Sequence, residues 1–342
     1  MGGNNQPQRS EGVRLDQLLA EYAPVEKTGQ RRAMDPLTFR DASQIGGSLL
    51  QDGGKDVYIS KVDPKRSIMV REFNFGNNTL GVPPMNLARN RMKLLHNNLV
   101  KFLGVYDKTE DDWCGGLGFI IVIVEYFPKT LRNLVLERVQ SRENTMIMST
   151  AASKCVISSF TKIFGEEELT KFLATIARTQ LFLKANMGLF FSDIHEENII
   201  FGHDGTLKLV DINTYNPEAN SGYWRSLKTS NYKAVLSPQE LAGVGQKSKV
   251  APGDPEKNAV FSLGIIILSA CFGLSHEYFY DYSTYNIRYN VVSEKLGAMR
   301  GYSLSRMFAG CLGNMLNLEE QQRPNFQQLI SMLEAHSKFP TS

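Results

Sequence analysis

Three polar residues at a fixed spacing constrain this chain more than any other feature. The segment 191–198 reads FSDIHEEN, so that Asn198 follows Asp193 by five positions. Asp211 lies thirteen positions further on and ends the run KLVD. The residues between them, 199–210, have the pattern of two short strands around a turn at Asp204-Gly205. Such a hairpin would place Asn198 and Asp211 close together at the ends of paired strands.

These residue types suit the transfer of a phosphoryl group from ATP. A carboxylate such as Asp193 can accept the proton of an attacking hydroxyl. Asn198 and Asp211 can together hold Mg²⁺ against the ATP phosphates, because magnesium prefers hard oxygen ligands. The structural alternatives for the same residues are a loop acceptor, a turn-stabilising Asn and an Asp at a strand end.

Both motifs resemble those of the protein kinase family, which read HRDLKPEN and DFG. The resemblance places Asp193 at the catalytic base and Asn198 and Asp211 at the two metal ligands. ATP and Mg²⁺, weakly bound, are therefore the implied cofactors. In the first motif the family's His, Arg, Lys and Pro are replaced by Phe191, Ser192, His195 and Glu196. The second motif reads DIN, with Asn in place of Gly.

The preceding residues resemble the small lobe of a kinase. Strand patterns at 57–62 and 67–73 flank a turn at 63–66, and a helix is predicted from about Pro84 to Leu95. The run 119–127 resembles the fifth strand and the hinge. The resemblance then implies a nucleotide site in which Arg71 takes the place of the strand-three lysine, Val124 is the gatekeeper, Glu125 to Phe127 face the adenine and Ile200 follows the catalytic loop.

The remaining residues resemble the large lobe. A helix is predicted to begin near Leu169, the apolar run 260–268 resembles the buried central helix, and 307–326 resembles the closing helices. The implied fold is α+β and bilobal, with a small β-rich N-lobe and a larger, mostly helical C-lobe. The predicted divisions are a tail at 1–34, an N-lobe at 35–126, and a C-lobe at 127–338 with an insertion loop at 139–165.

The segment 237–240 resembles the family motif A-P-E, which closes the activation segment. Gln239 stands at the place of the motif's Glu, and Glu240 follows it. The resemblance implies that Arg323, near the end of the chain, is the ion-pair partner of this segment.

Five departures bear on activity. Arg71 keeps a positive charge, but its planar guanidinium differs in shape from a lysine ammonium. The sequence has no acidic residue between Glu72 and Asp107, so the helix glutamate of active kinases is missing, and the glycine motif G-x-G-x-x-G does not occur between Ile45 and Val57. The catalytic-loop Arg and the Asp of the buried helix are also missing, since Ser192 and Ala259 take their places.

The departures favour a pseudokinase or strongly impaired kinase that works as a binding or scaffold component. Retention of Asp193, Asn198 and Asp211 favours the alternative, an atypical Ser/Thr kinase that transfers the ATP γ-phosphate to a protein hydroxyl. A third reading is a structural component of a larger assembly. For both non-catalytic readings the expected partner is a protein. The contact surfaces would be the basic helix with Arg89, Arg91 and Lys93, the N-terminal tail and the insertion loop, and at least part of the basic set should face outward.

Composition limits the other classes of function. The net charge of +3 is too small to indicate nucleic acid as a partner. Four scattered cysteines form no C-x-x-C pair and suit a cytoplasmic, reducing location, with an assembly-bound or cytoskeletal location as the alternative. The apolar runs are too short to predict a transmembrane segment. Met1-Gly2 suits N-myristoylation, although Gln6 occupies the position where that pattern has Ser or Thr.

Overall fold

The structure is a computed structural model. It describes residues 22–24, 56–60, 67–75, 84–109, 118–152, 163–191, 193–210, 234–248, 252–302 and 304–337. Within these ranges the chain forms a sheet-containing N-lobe followed by a mostly helical C-lobe. The predicted α+β bilobal fold is confirmed.

The N-lobe contains one antiparallel sheet, in which the strands are ordered β1-β2-β3-β5-β4. The five strands are β1 (Tyr22–Pro24), β2 (Asp56–Ser60), β3 (Ser67–Phe75), β4 (Phe102–Thr109) and β5 (Gly118–Tyr126). The central pair is β3 and β5, which match from Ser67 opposite Tyr126 to Phe75 opposite Gly118. The strands predicted near 57–62, 67–73 and 119–127 are confirmed.

Strand β1 lies inside the segment 1–34 that the sequence assigned to a tail, so that prediction is wrong for residues 22–24. Three residues carry too little alternation to indicate a strand by themselves. The strand exists because Tyr22 pairs with Ser60 and Pro24 with Tyr58 across β2. The rest of the tail, the Met1-Gly2 start and the glycine pairs at 46–54 lie outside the described residues.

The C-lobe contains seven α-helices among the described residues. They are α2 (Leu131–Ala152), α3 (Glu166–Met187), α4 (Pro238–Gly245), α5 (Pro255–Phe272), α6 (Tyr289–Ala298), α7 (Arg306–Met315) and α8 (Phe326–Ser337). The N-lobe helix α1 (Pro84–Lys93) ends two residues before the predicted Leu95.

Short strands complete the C-lobe. Strands β6 (Lys129–Thr130), β7 (Ile199–Phe201) and β8 (Leu207–Leu209) form a three-stranded sheet in that order. A small ribbon pairs β9 (Tyr280–Asp281) with β10 (Asn286–Ile287). A 3₁₀ turn over His276–Phe279 precedes the ribbon.

Helix α5 forms the centre of the C-lobe. The side chain of Asp254 caps its start by accepting the backbone N–H of Glu256, and Gly273 ends it with a φ of 65°. The helix is long and apolar enough to cross a membrane, but 78% of it is buried inside the C-lobe. Its apolar residues therefore have the packing of a core helix, and the buried helix predicted at 260–268 is confirmed.

Helix α2 continues to Ala152, so the insertion loop predicted at 139–165 is wrong for residues 139–152. The Ser and Thr content suggested a loop, but the sequence from 131 to 164 has no Gly or Pro to end a helix. Arg138 of α2 holds this helix against α3, because its guanidinium donates to both carboxylate oxygens of Glu168 at 2.8 Å. Residues 153–162 lie outside the described part of the chain.

Candidate functional site

The loop 193–198 connects helix α3 to strand β7, and its entry is held by Gln180 of α3. The Gln180 amide donates to the carbonyl oxygen of Phe191 at 2.8 Å and accepts the backbone N–H of Phe191 at 2.8 Å. The Phe191 ring belongs to the buried core of the C-lobe. The backbone is therefore anchored two residues before Asp193. Ser192 itself lies outside the described residues.

The structure brings Asp193 and Asn198 together. The Asn198 side-chain amide donates to the carbonyl oxygen of Asp193 at 2.9 Å and to its carboxylate at 3.1 Å. The backbone N–H of Asn198 donates to the carbonyl of His195 at 3.0 Å, which closes the turn between them. Because the NH₂ group is directed at Asp193, Oδ1 is the atom of Asn198 that suits a cation. An amide oxygen beside a carboxylate fits the hard oxygen ligands of Mg²⁺.

Asp211 lies outside the described residues, but the chain leading to it is placed. The hairpin predicted at 199–210 is confirmed, since β7 pairs antiparallel with β8 through a turn in which Gly205 has a φ of 79°. Val210, directly before Asp211, donates its backbone N–H to the carbonyl of Asn198 at 2.9 Å. The backbone thus reaches Asp211 from a residue that is hydrogen-bonded to Asn198.

Two buried histidines contact the acidic side chains of this loop. His195 Nε2 lies 3.6 Å from a carboxylate oxygen of Asp193. Burial lowers the pKa of His195, and this outweighs the nearby carboxylates, which would raise it. Burial by itself would raise the pKa of Glu196, but His276 lies 2.8 Å away and lowers it to about 2. His195 is therefore neutral at neutral pH, whereas Glu196 is ionised.

Helix α2 also contacts the loop. The backbone N–H of Arg132 donates to the carbonyl of Glu196 at 3.4 Å, and the Arg132 guanidinium lies 3.3 Å from the carboxylate of Glu197. The backbone N–H of Glu197 donates to Nδ1 of His195 at 3.2 Å. The loop is thus held from α2, from α3 and from the turn that follows α5.

The predicted nucleotide-site residues Val124 and Ile200 share one apolar cluster between the lobes. Val124 lies opposite Met69 in β3 and opposite Phe102 in β4, and all three are buried. Ile200 and Val210 join them from the C-lobe hairpin. The cluster packs the N-lobe sheet directly onto the strand that follows the catalytic loop.

The side chain of Glu125 is engaged in contacts between strands and lobes. Its Oε1 accepts the backbone N–H of Lys101 at 2.9 Å and lies 2.8 Å from Nζ of Lys208 in β8. Phe127 packs edge-on against His203 at 5.4 Å, and the Lys208 ammonium lies 5.6 Å from its ring centre. If this segment contacts adenine, Glu125 contributes its backbone carbonyl, because its carboxylate is paired with Lys208 and its N–H donates to the carbonyl of Lys101 at 3.0 Å.

Arg71 lies in β3 opposite Val122. Its side chain is outside what the structure describes, so its predicted role at a phosphate stays a prediction.

Arg91 of helix α1 points into the protein instead of towards solvent. It is 1% exposed, donates to the carbonyl oxygen of Val100 at 2.8 Å and stacks 4.5 Å above the Phe102 ring. Its other guanidinium nitrogen donates to the carbonyl of Leu94 at 3.3 Å. Arg91 is therefore not among the basic residues of α1 that face outward. Lys93 is exposed and Arg89 is half-buried.

The end of the activation segment is built into the C-lobe core. Three successive carbonyls, those of residues 234, 235 and 236, accept hydrogen bonds from the hydroxyls of Tyr282 at 2.9 Å, Ser262 at 2.8 Å and Tyr280 at 2.8 Å. Ser237 forms a capping box with Glu240 at the start of α4. Arg323 contacts this segment, but it donates to the neutral amide oxygen of Gln239 at 2.6 Å instead of forming the ion pair that the resemblance implied.

Sequence reasoning missed several residues that shape this site, namely Gln180, Arg132, Lys208 and His276. None of them carried a local signal. Gln180 is one of several polar residues in this part of α3, after Arg178 and Thr179, and the other three side chains meet partners that are distant in sequence.

A comparison with protein families supports the same assignment. The family model described as "Protein kinase domain" matches residues 87–333, well over half of the chain. The match begins within α1, so Arg71 and the first three strands precede it. A comparison with curated proteins finds none that matches. The matched family, the strand order of the N-lobe and the hydrogen-bonded Asp193–Asn198 loop agree, and the chain belongs to the protein kinase family.

Proposed function

We propose that this chain is a pseudokinase or strongly impaired kinase that works as a binding or scaffold component and retains weak, magnesium-dependent binding of ATP. The observation that carries the proposal is the state of Asp193. Asp193 is 3% exposed, and its carboxylate contacts both Asn198 and His195. A general base has to reach the hydroxyl from which it takes a proton, and this carboxylate is directed at the protein instead.

The charges around the loop support the same conclusion. Phosphoryl transfer depends on positive groups that stabilise charge on the transferred phosphate. His195 lies beside Asp193 but is neutral at neutral pH, because burial lowers its pKa. Arg71 would have to act without the acidic helix residue that anchors a lysine in active kinases. Arg91, the buried basic residue of α1, already donates to the backbone carbonyls of Leu94 and Val100.

Phosphotransfer by the purified full-length chain tests the loss of activity. We expect no turnover, or very slow turnover, of ATP with a generic protein substrate, and no further decrease in the variant Asp193→Asn. Robust turnover that Asp193→Asn abolishes would refute the pseudokinase assignment.

Binding of nucleotide is a separate test. The oxygen ligands implied at Asn198 and Asp211 predict a rise in melting temperature with Mg-ATP that is smaller with ATP in EDTA. Asn198→Ala should remove the magnesium-dependent part, whereas the matched control Asn90→Ala, at an exposed position of α1, should keep it. Equal shifts with Mg-ATP and with ATP in EDTA would exclude the metal role.

An active atypical Ser/Thr kinase is the second candidate. It is favoured by the intact geometry around the retained residues, in which Asn198 binds Asp193 and accepts the N–H of Val210. The phosphotransfer comparison above distinguishes the two candidates, because only an active kinase loses activity when Asp193 becomes Asn.

A structural role in a protein assembly is compatible with the first proposal. Lys93 is exposed at the end of α1, and Leu95, two residues further on, is 73% exposed. The sequence from Phe73 to Tyr106 contains basic but no acidic residues. Charge complementarity therefore favours an acidic protein segment, with an apolar side chain for Leu95, as the occupant of this surface. The part of the predicted 139–165 insertion that follows helix α2 would supply a second contact.

Charge reversal tests this surface. A partner captured by the wild-type chain should be purified and titrated against the variant Arg89→Glu/Lys93→Glu, which should lose binding while its melting temperature is nearly unchanged. Lys171→Glu, an exposed position of α3, is the matched control and should bind like wild type. Binding that survives the double reversal would exclude this surface.

We also propose a reducing, cytoplasmic location, because Cys271 and Cys311 are buried free thiols.

A further inference from the structure

The middle of the catalytic loop is held from a residue 80 positions away in the sequence. Nδ1 of His276 lies 2.8 Å from one carboxylate oxygen of Glu196 and 2.9 Å from the other. Both side chains are only about one-tenth exposed, at 11% and 10%. A carboxylate only accepts hydrogen bonds, so Nδ1 carries the hydrogen that is donated.

His276 lies in a 3₁₀ turn that packs against the C-lobe core. It begins the 3₁₀ turn that follows helix α5 after three residues, and the turn is capped by Ser275, whose hydroxyl accepts the N–H of Glu277. Phe279, at the end of the turn, is fully buried in the C-lobe core. The His276 ring packs edge-on against Tyr280 at 6.5 Å. The imidazole is therefore fixed relative to the buried helix α5.

Glu196 connects the 3₁₀ turn that carries His276 to the site residues. It starts the turn 196–198, whose closing hydrogen bond runs from the N–H of Asn198 to the carbonyl of His195. Asn198 in turn holds Asp193 through its side-chain amide. A displacement of Glu196 would therefore move Asn198 relative to Asp193. Helix α5 offers no polar side chain of its own at Ala259, where the resemblance implied an anchor for this loop.

We propose that His276 is a positioning residue for the catalytic loop, which fixes the Asn198 oxygen and the Asp193 carboxylate relative to helix α5 through its hydrogen bonds to Glu196. The expected contribution of His276 to magnesium binding rests on the proposed magnesium-dependent binding of ATP. Its expected contribution to the order of the loop backbone does not.

The competing explanation is that the pair only stabilises the C-lobe as a whole. Hydrogen exchange of single backbone amides separates the two, because local opening and global unfolding give different patterns of protection. The informative amides are those of Asn198 and Val210, which close the loop and join it to β8. Amides of α8, in the same lobe, report global stability.

The experiment compares the full-length wild-type chain with His276→Ala, His276→Asn and the control Tyr278→Ala. Tyr278 lies on the same turn with an exposed side chain. His276→Ala should accelerate exchange at Asn198 and Val210 by about tenfold, with less than about twofold change in α8. His276→Asn places an amide donor near the position of Nδ1 and should restore most of the protection. Tyr278→Ala should behave like wild type.

Unchanged protection at both loop amides in His276→Ala would overturn the proposal, and so would an equal acceleration in α8. If His276→Ala does not fold, His276→Asn is compared with His276→Gln, whose longer side chain displaces the donor. Equal loop protection in these two variants would then overturn it.

Nucleotide binding provides the functional readout. The affinity for Mg-ATP should fall about tenfold in His276→Ala, while binding of ATP in EDTA stays the same. A wild-type chain that binds no Mg-ATP would refute the proposed nucleotide binding. In that case the exchange pattern alone decides the role of His276, so the two failures are distinguishable.

Discussion

The guanidinium of Arg323 donates a 2.6 Å hydrogen bond to the side-chain oxygen of Gln239, which lies 84 positions earlier in the chain. The Arg323 side chain is buried and also donates to the carbonyl oxygens of Asn317 at 2.7 Å and Leu318 at 3.2 Å. The guanidinium carbon also lies 4.9 Å from the ring centre of Phe261 in α5. One side chain thus joins the start of α4, the centre of α5 and the loop before α8.

Removal of Arg323 should destabilise the C-lobe strongly. We expect Arg323→Ala to lower the free energy of unfolding by about 3–5 kcal/mol, because a fully buried side chain is removed and several part-buried acceptors lose their donor. Gln239→Ala should cost about 1–2 kcal/mol, since it removes one of these bonds. Urea denaturation measures both. The control Arg178→Ala removes an exposed ion pair with Glu334 and should cost less than about 1 kcal/mol. A similar loss in all three variants would contradict the assignment.

Glu240 should make stability depend on pH. Burial raises the pKa of its carboxyl group from 4.5 to about 7, although the hydrogen bonds from Ser237 oppose this. Between these two values the folded chain binds more protons than the unfolded chain. The contribution of Glu240 to the free energy of unfolding is therefore fully present below pH 4.5 and is lost as pH rises to about 7.

The variant Glu240→Gln should remove this dependence. A neutral Gln can still accept the N–H of Ser237, so at pH 8 the variant should be more stable than wild type by up to about 3 kcal/mol. At pH 4.5 the two should be nearly equal. Melting temperatures across this range measure the difference between them, and the titrations of His195 and Glu196 cancel because both proteins contain them. A constant difference at every pH would contradict the prediction.

Mutation of Arg91 should cost much more stability than mutation of Lys93. Arg91→Ala should cost about 2–4 kcal/mol of stability, because the carbonyl of Val100 and the face of Phe102 lose a buried partner. Lys93→Ala, on an exposed position of the same helix, should change stability by less than about 0.5 kcal/mol. Thermal or urea unfolding measures both, and a costly Lys93→Ala would show that the helix faces the other way.

Arg71→Lys alone should restore little phosphotransfer. The lysine would still lack an acidic partner, since the sequence has none between Glu72 and Asp107. The double variant Arg71→Lys/Leu87→Glu should be more active than either single variant, and Arg71→Lys/Leu87→Gln is the uncharged control. Strong activity from Arg71→Lys by itself would show that the predicted alignment of α1 is wrong.

Local patterns were sufficient where the structure depends on neighbouring residues. The hairpin after Asn198 follows from two apolar runs around Asp204-Gly205, and the buried helix α5 follows from its continuous apolar stretch. The approach of Val210, the residue before Asp211, to Asn198 follows from this hairpin, whereas the contact between Asp193 and Asn198 depends on the turn before it. Strand β1 and the second half of α2 were missed, because one is too short to show a period and the other contains Ser and Thr that also suit loops.

The sequence by itself determined the two-lobed kinase fold, the position of the catalytic loop and the departures that count against activity. Only the tertiary structure decided that Arg91 faces inward, that Glu125 pairs with Lys208 and that His276 holds Glu196. The physical reason is that a side chain's burial and partners depend on which backbones meet in space. Segments 80 or more positions apart meet here, and no local period or motif records such a meeting.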